Sequence, residues 1–203
     1  MRNCGASFLQ KTKVMIKTVC INCGSSPGKL PIYKQIAKEL GQFLAASQIN
    51  IVFGGANTGL MGEIANSALK CNGRVIGVIT EYINQKVGHK TLTELIIVKD
   101  MHERKKKMFE LSDAFIALPG GFGTLEEIFE IITWAQLGNH SKPFGFLNIN
   151  NFYDKLIEFI DNAVEESFIK QIHKNMIIVE DNYCNLFEKL LTNEIPKVDK
   201  WQN

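Results

Sequence analysis

The sequence predicts a single α/β domain, a Rossmann-like parallel sheet with helices on both faces. Three observations carry that expectation. Short apolar runs alternate with helix-like stretches along the chain, the order that repeated βαβ units produce. A chain of 203 residues, 45% hydrophobic and 22% charged, can bury a sizeable core without disulfides or metals. Three of the apolar runs end in glycine-rich segments, and in such sheets ligands bind beyond the carboxyl ends of the strands.

In chain order, residues 1–16 read as a flexible extension, 17–195 as the domain and 196–203 as a tail. The first strand, 18–22, leads into Cys23-Gly24-Ser25-Ser26-Pro27-Gly28 and a helix over 31–47. The second, 51–53, leads into Gly54-Gly55-Ala56-Asn57-Thr58-Gly59 and a helix over 60–71. Strands over 75–79 and 95–98 precede a helix over 101–112, and the strand 114–118 opens through residues 119–124 into a helix over 124–137. Strands 144–147 and 177–179 follow, with helices over 152–166 and 183–191. All three glycine-rich loops are expected to line one edge.

Composition narrows the partners. A formal charge of +2 is too small to call for nucleic acid or an anionic membrane, and no run approaches the roughly 20 apolar residues of a membrane span. Five cysteines, an odd number in a chain too long to need staples, suggest reduced thiols and a cytoplasmic setting. Cys20 and Cys23 have the spacing of a redox or zinc half-site, but no second pair follows, so they read as buried small residues. The four histidines form no ligand spacing, so no protein-bound metal is expected.

Glycines let backbone approach a ligand closely, and the first amides of a following helix offer free N–H groups and partial positive charge. A phosphate is the expected guest. Neither glycine run completes GxGxxG, and Gly28-Lys29 is followed by Leu30, so dinucleotide and P-loop readings weaken. Two readings stand for Thr124-Leu125-Glu126-Glu127. It fits a capping box with Thr124 as cap and Glu127 at its third position, or it sets carboxylates at a buried edge beside the phosphate. The helix that follows is apolar nearly all round, which favours a buried edge. On a helical wheel Arg104 falls between Met101, Met108 and Leu111, an inward position that calls for an anionic partner, with Lys105 on the flank.

The stretch from Met101 to Gly138, with its PGGxGTxxE and upstream Arg-Lys, resembles the LONELY GUY (LOG) family of phosphoribohydrolases, as do "CGSSPG" and "GGANTGLMG". The resemblance runs from Thr18 to about Phe168. It implies a homodimeric Rossmann-like enzyme, with no cofactor, that hydrolyses the N-glycosidic bond of adenine-type nucleoside 5′-monophosphates, typically cytokinin riboside monophosphates. It implies Arg104 and Glu127 as catalytic residues. The substrate-binding set expected with them is Ser25, Gly54, Gly55, Lys105, Pro119, Gly120, Gly121, Phe122, Gly123, Thr124, Glu126 and Thr133. One departure stands out. Where relatives have Glu before Val-x-His, this chain has Lys86 in Gln85-Lys86-Val87-Gly88-His89, which bears on base selectivity. Relatives also carry a lysine decarboxylase label, but no lysine here stands out as a Schiff-base candidate. A non-catalytic nucleotide sensor is the main rival, and a nucleosidase indifferent to the phosphate is a second.

Overall fold

Seven strands of the computed structural model form one parallel sheet, in the order β4-β3-β2-β1-β5-β6-β7. The structure describes residues 15 to 193, 195 and 196. The strands are β1 (Thr18–Asn22), β2 (Asn50–Phe53), β3 (Val75–Thr80), β4 (Glu94–Val98), β5 (Ala114–Ala117), β6 (Phe144–Leu147) and β7 (Ile178–Glu180). Around them lie α1 (Pro31–Ala46), α2 (Gly59–Lys70), α3 (Glu81–Val87), α4 (Met101–Leu111), α5 (Phe122–Gln136), α6 (Asp154–Glu165), α7 (Gln171–Lys174) and α8 (Tyr183–Thr192).

The central strands are apolar throughout because alternate side chains serve opposite cores. Val19, Ile21, Ile51, Phe53 and Ile116 pack with Leu40 and Leu44 of α1, Ile64 of α2 and Leu190 of α8. Cys20, Val52 and Phe115 face the other way, against Met108 of α4, Ile128 and Ile131 of α5, and Tyr153. Fully burying each such Leu, Ile or Phe contributes about 1.5–3 kcal/mol, so two packed faces outweigh any single polar contact. The fold class predicted from the sequence is the one found.

The differences are local. α3 and α7 were not expected, because α3 buries none of its side chains and α7 is four residues long, so neither writes an apolar stripe into the sequence. α5 starts at Phe122, two residues before Thr124. Ile16, assigned by the sequence to the extension, is buried in the core. Residues 1–14 of the expected extension and 197–203 of the expected tail lie outside the described residues. Among the described residues no helix is long and apolar enough to cross a membrane.

From β1 the chain builds outward through β2, β3 and β4, then returns to set β5 on the opposite side of β1. The loops leaving β1 and β5 therefore lie side by side at the switch point of the sheet, where ligands of such folds bind. The three glycine-rich loops meet there.

Candidate active site

Backbone hydrogen bonds join the three loops. Gly24 N donates to Pro119 O at 3.0 Å, and Leu60 N donates to Gly24 O at 3.0 Å, so the loop after β1 is tied both to the loop after β5 and to the start of α2. A Cβ at Gly59, whose φ is +55°, would lie 2.3 Å from the Ser25 carbonyl carbon. One at Gly120 would lie 2.1 Å from Thr124 Oγ1 and 2.9 Å from Gly24 N. No side chain fits between these backbones. Gly120→Ala should therefore push Thr124 and the Gly24 loop apart and destabilise the protein by about 1–3 kcal/mol. Thermal melts would check this, and an unchanged melting temperature would mean the loops are not so tightly nested.

The start of α5 overturns the capping-box reading. Gly121 is the N-cap, extended and without a side-chain cap, and Thr124 is the third helical residue, buried against Gly120. The amides of Phe122, Gly123 and Thr124 thus stand at a helix start whose cap residue offers no side-chain acceptor. Glu127 returns to no cap. The D-x-x-E signature one helix earlier does the capping instead: Asp100 accepts from Glu103 N at 2.9 Å, and Glu103 accepts from Lys99 N at 2.8 Å. That cap fixes where α4 begins and hence where Arg104 points.

Arg104 points inward, as the helical wheel indicates, and is 5% exposed. Its Nε donates to Val78 O at 3.0 Å and its Nη1 to Glu127 Oε1 at 2.7 Å. Its Nη2 lies where a Cβ at Gly54 would be, 2.2 Å away. The guanidinium thus spans β3, the loop after β2 and the first turns of α5. Burial pushes the Glu127 carboxyl above the usual glutamate range, and Arg104 only partly opposes it. Lys105, beside Arg104, ion-pairs with Glu126 and, at 3.2 Å, with Glu130; the Glu126 contact raises its pKa. Three ion pairs therefore bolt α4 to α5.

The other expected residues fall into groups. Ser25, Gly54, Gly55, Pro119, Gly120 and Thr124 gather in the joined loops, with Gly121 at their rim. Gly123 has open space where a Cβ would be, and Phe122 is 94% exposed. Thr133 lies apart, on the exposed face of α5, its hydroxyl donating to Phe129 O at 2.7 Å. Lys86 is clamped to its own helix, donating to Tyr82 Oη at 2.5 Å and lying 4.1 Å over the Tyr82 ring.

Sequence reasoning gave no role to Asn22, Glu130 or His89. Asn22 ends β1 and is 2% exposed, lining a small cavity with Cys20, Lys105, Glu127 and Glu130. A polar residue closing an otherwise apolar strand was the available signal. Cys20 and Cys23 are free and buried, and burial pushes both thiols well above the usual range, so they are small core residues and not nucleophiles. Cys184 is disulfide-bonded, so the expectation of reduced thiols fails for it.

Comparison with known proteins identifies the family. Residues 61–190 match a family model described as "Possible lysine decarboxylase". The chain is 46% identical over 175 residues to a probable cytokinin riboside 5′-monophosphate phosphoribohydrolase of Oryza sativa, covering 86% of this chain and 77% of that protein. It is 44% identical over 183 residues to a cytokinin riboside 5′-monophosphate phosphoribohydrolase of Arabidopsis thaliana, covering 90% and 80%. The chain belongs to the LOG family. Phosphoribohydrolases, the named LOG relatives, are hydrolases of N-glycosidic bonds. At the level of fold alone, this LOG chain is similar to the molybdenum cofactor binding protein of Rippkaea orientalis, with a TM-score of 0.65 and 21% identity over 86% of this chain and 97% of that one.

Proposed function

We propose that this protein hydrolyses the N-glycosidic bond of adenine-type nucleoside 5′-monophosphates, cytokinin riboside monophosphates and AMP among them, giving free base and ribose 5-phosphate. The buried Arg104–Glu127 pair beneath an uncapped, glycine-lined helix start carries the reading. The names of the relatives support the substrate class. The amides of residues 121–124 take the 5′-phosphate, where the helix dipole favours an anion. That leaves the ribose over the first turns of α5, within reach of Glu127.

Cleavage passes through an oxocarbenium-like state, with the C1′–N9 pair leaving on the purine and a water oxygen bonding to C1′. Ionised Glu127 stabilises the positive charge and takes one proton from water, and the departing purine takes up a proton from solvent to become the free base. Arg104 keeps that carboxylate ionised and aimed. Lys105 is a poor fit to the decarboxylase description: its ion pairs favour the ammonium form, whereas a Schiff-base lysine has to reach the neutral amine.

The test is to incubate the protein with AMP, isopentenyladenosine monophosphate and the matching nucleosides, and to separate free base by chromatography. Base release from the monophosphates should exceed that from the nucleosides by at least about a hundred-fold, since the nucleosides leave the amides unfilled. Comparable turnover of adenosine and AMP would favour the nucleosidase. Tight binding of AMP without base release would favour the sensor.

The same reading includes a homodimer built on the outer face of α5. Phe122 and Leu137 are exposed there, and Leu125, Phe129 and Ile132 are only partly covered by their own chain. Trp134 already packs edge-on to Phe109 of α4, at 5.1 Å, so Phe129 is the better probe of the contact. A second copy on this face would bring its own Thr133 toward the neighbouring site. Light scattering should give twice 22.8 kDa, and Phe129→Glu should lower dimer content and activity together. A fully active protein of 22.8 kDa would rule the dimer out.

A further inference from the structure

His89 has no place in the chemistry above, yet it is 2% exposed and fixed from three directions. Its Nδ1 accepts from Thr91 N at 3.3 Å, so that nitrogen carries no proton. The proton is therefore assigned to Nε2, 3.2 Å from Asn66 Oδ1. Asn66 Nδ2 in turn donates to Asn57 Oδ1 at 3.2 Å. The backbone of the same segment grips the same loop: His89 N donates to Gly55 O at 2.9 Å, Asn57 N donates to Val87 O at 2.8 Å, and Ala56 and Gly88 form an antiparallel bridge.

We infer that His89 is a positioning residue for the hydrolysis proposed above, on which this inference rests: its neutral ring, linked to Asn66, holds the Gly54–Asn57 loop as the seat of Arg104. The loop cannot anchor itself. Gly54, Gly55, Ala56 and Gly59 have no side chain able to anchor them, so their position is set from outside. Gly54 has to stay flat beneath Arg104 Nη2, and Gly55, at φ +76°, turns the chain away beside Ile79. A drift of this loop would carry the guanidinium with it, and Glu127 would lose its aim. Burial holds the His89 pKa below its usual value, in keeping with the neutral ring that the Thr91 and Asn66 contacts require.

Four variants and two readouts test this. His89→Ala should lower kcat for AMP about ten-fold with KM changed less than about two-fold, because the phosphate loop is untouched while the catalytic pair is misaimed. His89→Gln, whose amide nitrogen reaches the place of Nε2, should restore most of the rate. His89→Asn, which reaches only the place of Nδ1, should not. Asn66→Ala changes an exposed residue, so it keeps the test open if His89→Ala fails to fold, and it should lower kcat in the same direction. Hydrogen exchange at the Asn57 amide should speed up in His89→Ala and Asn66→Ala but not in His89→Gln. An unchanged kcat in the alanine variants, equal rescue by Asn and Gln, or a rise in KM alone would overturn the inference. If the parent protein releases no base, the hydrolase reading has failed, and unaltered exchange at Asn57 would then refute the positioning role by itself.

Discussion

Glu127→Gln is expected to lower base release by roughly a thousand-fold while leaving the protein folded. The amide oxygen still accepts from Arg104 Nη1, so the contact between α4 and α5 survives. What disappears is the negative charge that an oxocarbenium ion and an attacking water require. Near neutral pH the relief of a buried carboxylate opposes the loss of Arg104's counter-charge, so the readout is the pH dependence of stability. The folded-state pKa of Glu127 is raised by burial, so the native protein binds this proton more tightly than the unfolded chain. Its contribution to stability is then full below the ordinary glutamate pKa and is lost as pH rises through the raised one. The melting temperature of Glu127→Gln relative to the parent should climb with pH across that window, and the acid limb of the parent's pH–rate profile should lie above the ordinary glutamate value. A variant that is much less stable and still active in its folded fraction would contradict the catalytic role.

Arg104→Met should be the most destabilising single change at the site. It leaves Glu127 buried without its cation, which costs about 3–5 kcal/mol, or a melting-temperature drop on the order of 10 °C in a chain of this size. The loss should be larger at pH 8 than at pH 5, because the unpaired carboxyl, pushed further up, is neutral in acid and its penalty then vanishes. Adding Glu127→Met should recover most of the stability and none of the activity. Thermal melts of the four proteins at both pH values would decide it. Additive losses in the double variant would mean that the two side chains are not energetically one unit.

Much of this was legible because it is written in local pattern. Strands buried on both faces are continuous apolar runs, and Arg104 announces itself as a cation on an apolar stripe. The rest depends on residues far apart in the chain. Nothing near Arg104 names Glu127, 23 residues on, as its partner. The misplaced capping box has a plain cause: Asp100-x-x-Glu103 and Thr124-x-x-Glu127 carry the same signature, and tertiary contacts decide which is used. At α4 no buried cation competes for Glu103, whereas Arg104 claims Glu127 and Gly120 draws Thr124 inward. His89 left no periodic trace at all, because its contacts run to a loop and to Asn66, not along an apolar stripe.

In the proposed mechanism the joined loops hold the 5′-phosphate so that C1′ meets Glu127. The most direct measurement is a crystal structure of Glu127→Gln soaked with AMP, in which binding outlasts chemistry. The phosphate should sit on the amides of residues 121–124, with C1′ or a water beside it within about 3–4 Å of the residue 127 side chain. A phosphate bound elsewhere, or a ribose turned away from residue 127, would rule this mechanism out.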